Sequence, residues 1–380
     1  MKINRSLLAR LRGALQLPKA FPTARRMNPD EIARTIDQAL ASAGLRTGQS
    51  DDLSTRNRRT LDAPLQTGKQ AEAQGEFLTR SFSNDAGKRS YKLYVPSSYS
   101  SASKQPAPLV VMLHGCTQSP DDFAAGTRMN ALAERHGFLV VYPAQSPNAN
   151  GSRCWNWFRG DDQRRDRGEP SLIAGITREV AAGYRIDERC IYVAGLSAGA
   201  AMAVILGTTY PDIYSAVGAH SGLPFGAAHD VPSAFAAMKG SRSPARRSSP
   251  LGGPPAPPAG NQPVPTIVFH GDSDQTVVAR NGDAIVEQAS VGFPGQAALR
   301  ASVIDGETSS GRTYRRAVYA DPDGHPVVEH WLLHGAGHAW SGGSSDGTFT
   351  DGSGPDASAE MIRFFHARAR SRRIDGDAGY

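Results

Sequence analysis

Gly195-Leu196-Ser197-Ala198-Gly199 sets a serine between two glycines in the pattern G-x-S-x-G. The apolar run Ile191–Ala194 leads into it and the apolar run Ala198–Gly207 leads out. A strand entering and a helix leaving is the context that makes this pentapeptide a nucleophile elbow rather than a chance match in a Gly-rich chain. The turn is so tight that only small residues fit beside the serine, and its hydroxyl stands at the carboxyl edge of the sheet. The N–H of Ala198 and the helix N-terminus point at the same spot, where negative charge on a reacting carbonyl oxygen would be held. Ser197 is thus the candidate nucleophile and Ala198 a candidate oxyanion donor.

A serine hydroxyl needs a base, and the base needs an orienting carboxylate; after a G-x-S-x-G elbow they follow in the order acid, then histidine. His270-Gly271-Asp272-Ser273-Asp274 comes directly after the apolar run Thr266–Phe269. A loop past a strand end lies on the ligand-binding edge of a parallel sheet. Asp274 is the preferred acid, because Asp272 sits next to the strand-ending glycine and suits a turn-capping role. His338, in the Gly-rich stretch Gly335–Gly343, is the preferred base. His334 abuts the preceding strand and is read as satisfying local backbone groups, and His366 as a helix-surface residue. His334 and His338 have the spacing of a helical metal pair, but Gly335 and Gly337 oppose a helix there, so no metal is assigned and no cofactor is required. A second oxyanion donor is expected from a loop after an early strand. His114-Gly115-Cys116-Thr117-Gln118 follows Leu109–Leu113, and the Cys116 N–H is the choice. Cys154-Trp155-Asn156-Trp157-Phe158 reads equally as a core cluster or as a ligand surface. Trp155, Trp157 and Trp340, which is two residues from His338, are the candidate substrate-binding residues.

These residues need a scaffold, and the rest of the chain spells one. Glu76–Phe82 and Lys88–Val95 read as strands around a turn. Leu109–Leu113, Phe138–Tyr142, Ile191–Ala194, Ala216–Ala219 and Thr266–Phe269 read as short buried strands, with Tyr314–Tyr319 and Val327–Leu333 as further strands. Asp122–His136, Ile173–Tyr184, Ala198–Gly207 and Ala357–Arg368 carry helical periodicity. Strands alternating with helices imply a mostly parallel sheet covered by helices on both faces. With the serine elbow, that is an α/β-hydrolase fold. Residues 75–370 are the expected catalytic domain. Ahead of it stand an N-terminal helical segment (1–48), with a helix start at Asn28-Pro29-Asp30-Glu31, and a polar linker (49–74). Residues 239–265, rich in Pro, Gly, Ser and Arg, are expected to be a disordered insertion, and residues 371–380 a tail.

Composition removes other classes. The 380 residues carry a net charge of +6, a small excess of 42 basic over 36 acidic side chains. The excess is concentrated near the N-terminus and around Lys239–Arg247, and no nucleic-acid-binding motif accompanies it, so nucleic acid is not an expected partner. No run approaches about 18 apolar residues, so no membrane span is expected. Arg10 and Arg12 interrupt the only N-terminal apolar stretch, which argues against a cleavable signal peptide. Three cysteines, Cys116, Cys154 and Cys190, form neither a disulfide scaffold nor a metal motif. Oligomeric state is not legible.

Taken together, Leu113–Gln118, Cys154–Trp157, Tyr192–Gly199, Ser221-Gly222-Leu223-Pro224 and Gly337–Gly343 resemble the polyhydroxybutyrate depolymerase family of esterases over roughly residues 75–370. Feruloyl and acetylxylan esterases are similar in the same motifs. The resemblance implies an ester substrate (a polymer, an oligomer or a small ester) and an extracellular or periplasmic location. The expected function is serine ester hydrolysis of hydroxyalkanoate esters, with feruloyl or acetylxylan esters as the alternative. A non-catalytic polymer-granule or surface-binding protein is the rival from another class, which an intact triad opposes. Cys116 and Cys154, in loops after neighbouring strands, are the expected disulfide, leaving Cys190 free.

Overall fold

A computed structural model of the chain describes residues 75–241, 263–291, 293 and 299–377, with side chains described as far as residue 367. The expected N-terminal helix and linker, and most of the 239–265 insertion, lie outside the described residues.

The first two strands, β1 (Glu76–Asn84) and β2 (Gly87–Val95), form a hairpin. Then come β3 (Ala107–Leu113), β4 (Leu139–Pro143), β5 (Ile186–Leu196), β6 (Ala216–His220), β7 (Thr266–Gly271), β8 (Arg300–Glu307), β9 (Thr313–Ala320) and β10 (Pro326–Leu333). They make one sheet of ten strands in the order β1-β2-β4-β3-β5-β6-β7-β10-β9-β8. The six strands from β4 to β10 in that order run parallel, and the outer pairs are antiparallel. A parallel sheet must be covered on both faces, and the period-two alternation of its strands supplies two apolar surfaces. Leu109, Val111 and Leu113 of β3 join one core cluster, and Val110 and Met112 join the other.

Helices α1 (Pro120–Thr127), α2 (Met129–His136) and α7 (Ala357–Asp377) cover the second face, with Phe123, Leu132, Phe364 and Phe365 inside. Helices α3 (Gly168–Gly183), α4 (Ala198–Thr209), α5 (Val231–Met238) and α6 (Arg280–Ser290) cover the first. This is the mostly parallel, doubly covered sheet expected. Two of the expected helices differ in extent. The stretch read as one helix, Asp122–His136, is α1 and α2, broken where Arg128 takes a left-handed φ of 53°. There Ser358 Oγ donates to the Thr127 carbonyl at 2.7 Å and Arg128 Nη2 donates to the Gly342 carbonyl at 2.6 Å, so tertiary bonds replace helical ones. The closing helix continues past Arg368 to Asp377, through most of the stretch read as a tail.

Beside the sheet a polar cluster fixes the loops that follow β4. The Glu169 carboxylate, at the start of α3, accepts from Asn156 N and Asn156 Nδ2 (both 2.7 Å), Gln145 Nε2 (2.5 Å) and Arg89 Nη2 (3.3 Å). It is almost wholly buried. Burial, and then the Glu169 charge, push the neighbouring Asp162 up to about 7, so Asp162 is the member of the pair that holds a proton near neutrality. A buried charge that loses its acceptor strands its donors. Glu169→Ala should therefore lower the unfolding free energy by roughly 3–5 kcal/mol in urea titration. Asp162→Asn, a neutral isostere of the protonated acid, should cost far less.

Candidate active site

The sequence segment Gly195–Gly199 is the junction of β5 and α4. Ser197 lies in it at φ 57° and ψ −118°, outside the regions a non-glycine residue normally occupies. Such a conformation costs on the order of 1–3 kcal/mol and persists only where the surroundings impose it. Here they do. A Cβ on Gly195 would lie 2.5 Å from the Gly199 carbonyl carbon and 2.7 Å from the Leu113 oxygen. A Cβ on Gly199 would enter the carbonyl oxygens of Leu113 and His114. The two glycines let β3, β5 and α4 close on one another, and the serine takes up the sharp angle. Ser197 N donates to the His220 carbonyl (2.9 Å), and Ser197 O accepts from Ala201 N (3.0 Å) as the first bond of the helix. The N–H of Ala198, in the first turn, has no intrahelical acceptor.

Adjacent parallel strands bring the other candidates to the same edge. β5, β6, β7 and β10 are successive neighbours, and Ser197, the Asp272–Asp274 loop and the His334–His338 loop leave their carboxyl ends. His338 Nδ1 lies 2.7 Å from Asp274 Oδ2. Asp274 Oδ1 accepts from the N–H groups of Thr276 (2.8 Å) and Val277 (2.9 Å). Burial acts to raise the Asp274 pKa, but the hydrogen bond and charge of His338, His270 and the Val277 N–H outweigh it and hold the carboxyl below its usual range. An ionised Asp274 fixes the proton on His338 Nδ1 and leaves Nε2 with a lone pair. Neither His338 Nε2 nor Ser197 Oγ hydrogen bonds to another described residue. Asp272 instead accepts from Gly335 N (2.7 Å) and lies 2.9 Å from His334 Nδ1, a second, more exposed pair that ties the two loops together. Asp272, read as capping its own turn, instead bonds across to the loop after β10.

Two buried histidines hold these loops in place. The His220 carbonyl takes the Ser197 N–H, while its ring Nε2 accepts from Ser341 N at 3.0 Å, three residues past His338. The ring is stacked on Phe269 and on Trp340. His114 does the same for the other side. Its Nε2 accepts from Gln145 N (3.1 Å), so Nδ1 carries the proton and donates to the Gly115 carbonyl (2.7 Å). In the following loop, Gly115 N donates to Gln118 Oε1 and Thr117 N to the Ser152 carbonyl. The Cys116 N–H between them donates to no described residue. Cys116 Sγ is bonded to Cys154 Sγ at 2.02 Å, joining the loops after β3 and β4, and Cys190 is buried and outside any disulfide.

Against Ser197 opens a cleft. The Cys116–Cys154 bridge, Trp157, Phe158 and Leu223 form one side. Val231, Ala234, Phe235 and Met238, one face of α5, form the other, with Thr276 and Val277 near the acid loop. The expected aromatic rim is corrected here. Trp155 and Trp340, 0 and 1 % exposed, are core residues away from the cleft, and only Trp157 lines it. Trp155 Nε1 donates to the His114 carbonyl (3.1 Å) and Trp340 Nε1 to Ser358 Oγ (3.0 Å), so each indole is fully accommodated inside. The α5 wall was missed, although Asp230 caps it and Pro232 opens it. Its Val231, Ala234, Phe235, Met238 spacing was a readable apolar face. Away from the site, Asp321, Asp323 and His325 cluster in the turn before β10, at the opposite edge of the sheet.

The fold and this geometry define an α/β-hydrolase. A family profile described as Esterase PHB depolymerase matches residues 89–308, and the chain belongs to that family. Poly(3-hydroxyalkanoate) depolymerase C of Paucimonas lemoignei is 35% identical over 237 residues, covering 61% of this chain and 55% of that protein. Poly(3-hydroxybutyrate) depolymerase of Ralstonia pickettii is 28% identical over 264 residues, 66% of this chain and 51% of that one. Feruloyl esterase B of Neurospora crassa is 33% identical over 142 residues, 37% of this chain and 46% of that one. The chain thus spans about half the length of the curated relatives it matches. Among solved structures, an acetyl xylan esterase from Aspergillus awamori superposes with a TM-score of 0.59 at 19% identity, covering 77% of this chain and all of that one, a likeness of fold.

Two outcomes follow from the site's packing. Burial pushes His114 down to about 4 and His220 to about 3, and also lowers His270. These rings stay neutral when folded and gain protons at about 6.5 when unfolded. Stability is therefore complete above pH 6.5 and falls as pH drops toward the folded values, by up to roughly 1 kcal/mol per pH unit for each ring. Urea titrations at pH 7, 6 and 5 should show that decline; a flat profile would mean the rings are charged in the native state. Thiol counting under denaturing, non-reducing conditions should find one cysteine, and three after reduction.

Proposed function

We propose that this chain is a serine carboxyl-ester hydrolase working through an acyl-enzyme. The observation that carries the reading is the convergence at one sheet edge of a strained Ser197, the Asp274–His338 pair and two unused N–H groups, with Ser197, Ala198 and Cys116 lining an apolar cleft. In the proposed cycle Ser197 Oγ attacks the ester carbonyl carbon as His338 Nε2 takes its proton. Asp274 holds the resulting imidazolium through Nδ1–H. The N–H groups of Cys116 and Ala198 hold the oxyanion. Collapse breaks the bond to the leaving oxygen, which takes the proton from His338. Water, deprotonated by the same ring, then attacks the acyl-serine, and Ser197 Oγ leaves with the proton. The cycle needs no metal or cofactor.

The substrate class we favour is a poly- or oligo-hydroxyalkanoate ester. The family membership and the named activities of the Paucimonas and Ralstonia relatives support it. An aryl acid such as a feruloyl group is the second reading, favoured by the edge-to-face pair Trp157–Phe158 in the cleft wall, whose rings are 5.6 Å apart. The Cys116–Cys154 bridge suits an oxidising compartment, extracellular or periplasmic.

Ser197→Ala and His338→Ala should each lower kcat for a short-chain p-nitrophenyl ester by about 10⁴-fold or more with unchanged circular dichroism. Asp274→Asn should lower it about 10³- to 10⁴-fold, and Asp272→Asn much less. The reverse order of the two aspartates would reassign the acid. Retained turnover in Ser197→Ala would end the serine mechanism, and no turnover in the native chain would leave a binding protein. Release of hydroxybutyrate from polyester film against release of ferulate from a feruloyl ester decides the substrate.

A further inference from the structure

Among the described residues, Lys239 is the one charged residue lining the cleft beside Ser197, and no described carboxylate lines it. Lys239 follows the last residue of α5, and its place is set by bonds between that helix end and the acid loop. Val278 N donates to the Met238 carbonyl (2.9 Å), and Asn281 Nδ2 donates to the Ala237 carbonyl (3.0 Å). The Lys239 ammonium donates to the Gln275 carbonyl, one residue past Asp274. That bond uses one of its three N–H donors and ties the ammonium to the loop that carries Asp274. No carboxylate among the described residues pairs with it. A cation held by a neutral acceptor, on a residue that lines an apolar cleft with no described carboxylate, keeps donors for an entering anion.

We propose that Lys239 is a specificity determinant that selects esters carrying a carboxylate, the substrate seating its apolar chain against α5 and Trp157 and its anionic end on the ammonium. Free hydroxyalkanoate oligomers have this form, an apolar ester chain ending in a carboxylate, so the chemistry favours short soluble oligomers over neutral polysaccharide esters. The inference rests on the esterase reading above and deepens it.

The test is a ratio of kcat/KM between esters that differ only in charge. One pair carries the charge on the acyl side, mono-p-nitrophenyl glutarate against p-nitrophenyl valerate. The other carries it on the alcohol side, β-acetoxybutanoate against its methyl ester, read as acetate release. A general loss of folding or catalysis divides out of the ratio. In at least one pair the native chain should favour the anion relative to Lys239→Met by about five- to tenfold, the scale of one charge-assisted hydrogen bond at a partly exposed site. Lys239→Arg should keep the preference and Lys239→Glu should invert it. The preference should shrink as salt is raised from 0.01 to 1 M, which a helix-end role alone would not produce. A ratio unmoved by Lys239→Met in both pairs overturns this inference while leaving the esterase reading intact. Failure to hydrolyse either member of both pairs overturns that reading itself.

Discussion

The backbone at Ser197 is the constraint from which the rest of the site follows. A left-handed residue with ψ near −118° at the end of a parallel strand turns the chain into a helix within one residue. It also brings α4 against the carbonyl oxygens at the end of β3, which is why both flanking positions must lack a Cβ. This strain sits at the proposed nucleophile, and it is held by burial of nearly all of α4 on the apolar face of β5 and β6. The first turn of α4 has no side-chain cap, and its first residue, Ala198, lines the cleft.

A strained turn alone does not place the proposed base or the proposed second donor, and the loops that carry His338 and Cys116 are pinned by buried histidines. His220 bonds the serine turn through its carbonyl and the base loop through its ring. His114 bonds the loop after β4 through its ring and Trp155 through its carbonyl. Each ring nitrogen that accepts a backbone N–H can do so only unprotonated, so the geometry depends on the low pKa that burial imposes. The Cys116–Cys154 bridge and the Glu169 carboxylate fix the outer side of the same loops. The carboxyl edge is thus a set of separately anchored loops, with rigidity supplied by polar groups that the core has paired.

Much of this was legible because the relevant signals are local. The G-x-S-x-G turn, the apolar strand before His270 and the glycines around His338 each declare a strand end, and strand ends of a parallel sheet share an edge. What was illegible depended on tertiary contact. β8, Arg300–Glu307, is exposed on both faces and shows no alternation, so its pairing with β9 had no sequence signature. α6 carries Gly282 in its interior, a helix-weakening residue explained only by the approach of His270, whose Nδ1 would be 2.9 Å from an added Cβ. The break at Arg128 is made by Ser358 and Gly342, more than 200 residues away along the chain.

The tryptophans show why aromatic residues in a Gly-rich loop are ambiguous. An indole has one donor, and the face it presents is decided by where that donor finds an acceptor. Trp155 and Trp340 find theirs inside, on the His114 carbonyl and Ser358 Oγ, and from there they support the ring of His114 and the ring of His220. They serve the site by holding its histidines, one layer behind the cleft. The cleft wall itself is left to Trp157, Phe158 and the side chains of α5, most of them aliphatic or aromatic without a hydrogen-bonding requirement. Such a wall discriminates weakly among apolar chains of similar size. Discrimination beyond size must then come from the few lining groups that are not apolar, and among the described residues Lys239 is the charged one, which is the ground for proposing that it selects anionic esters.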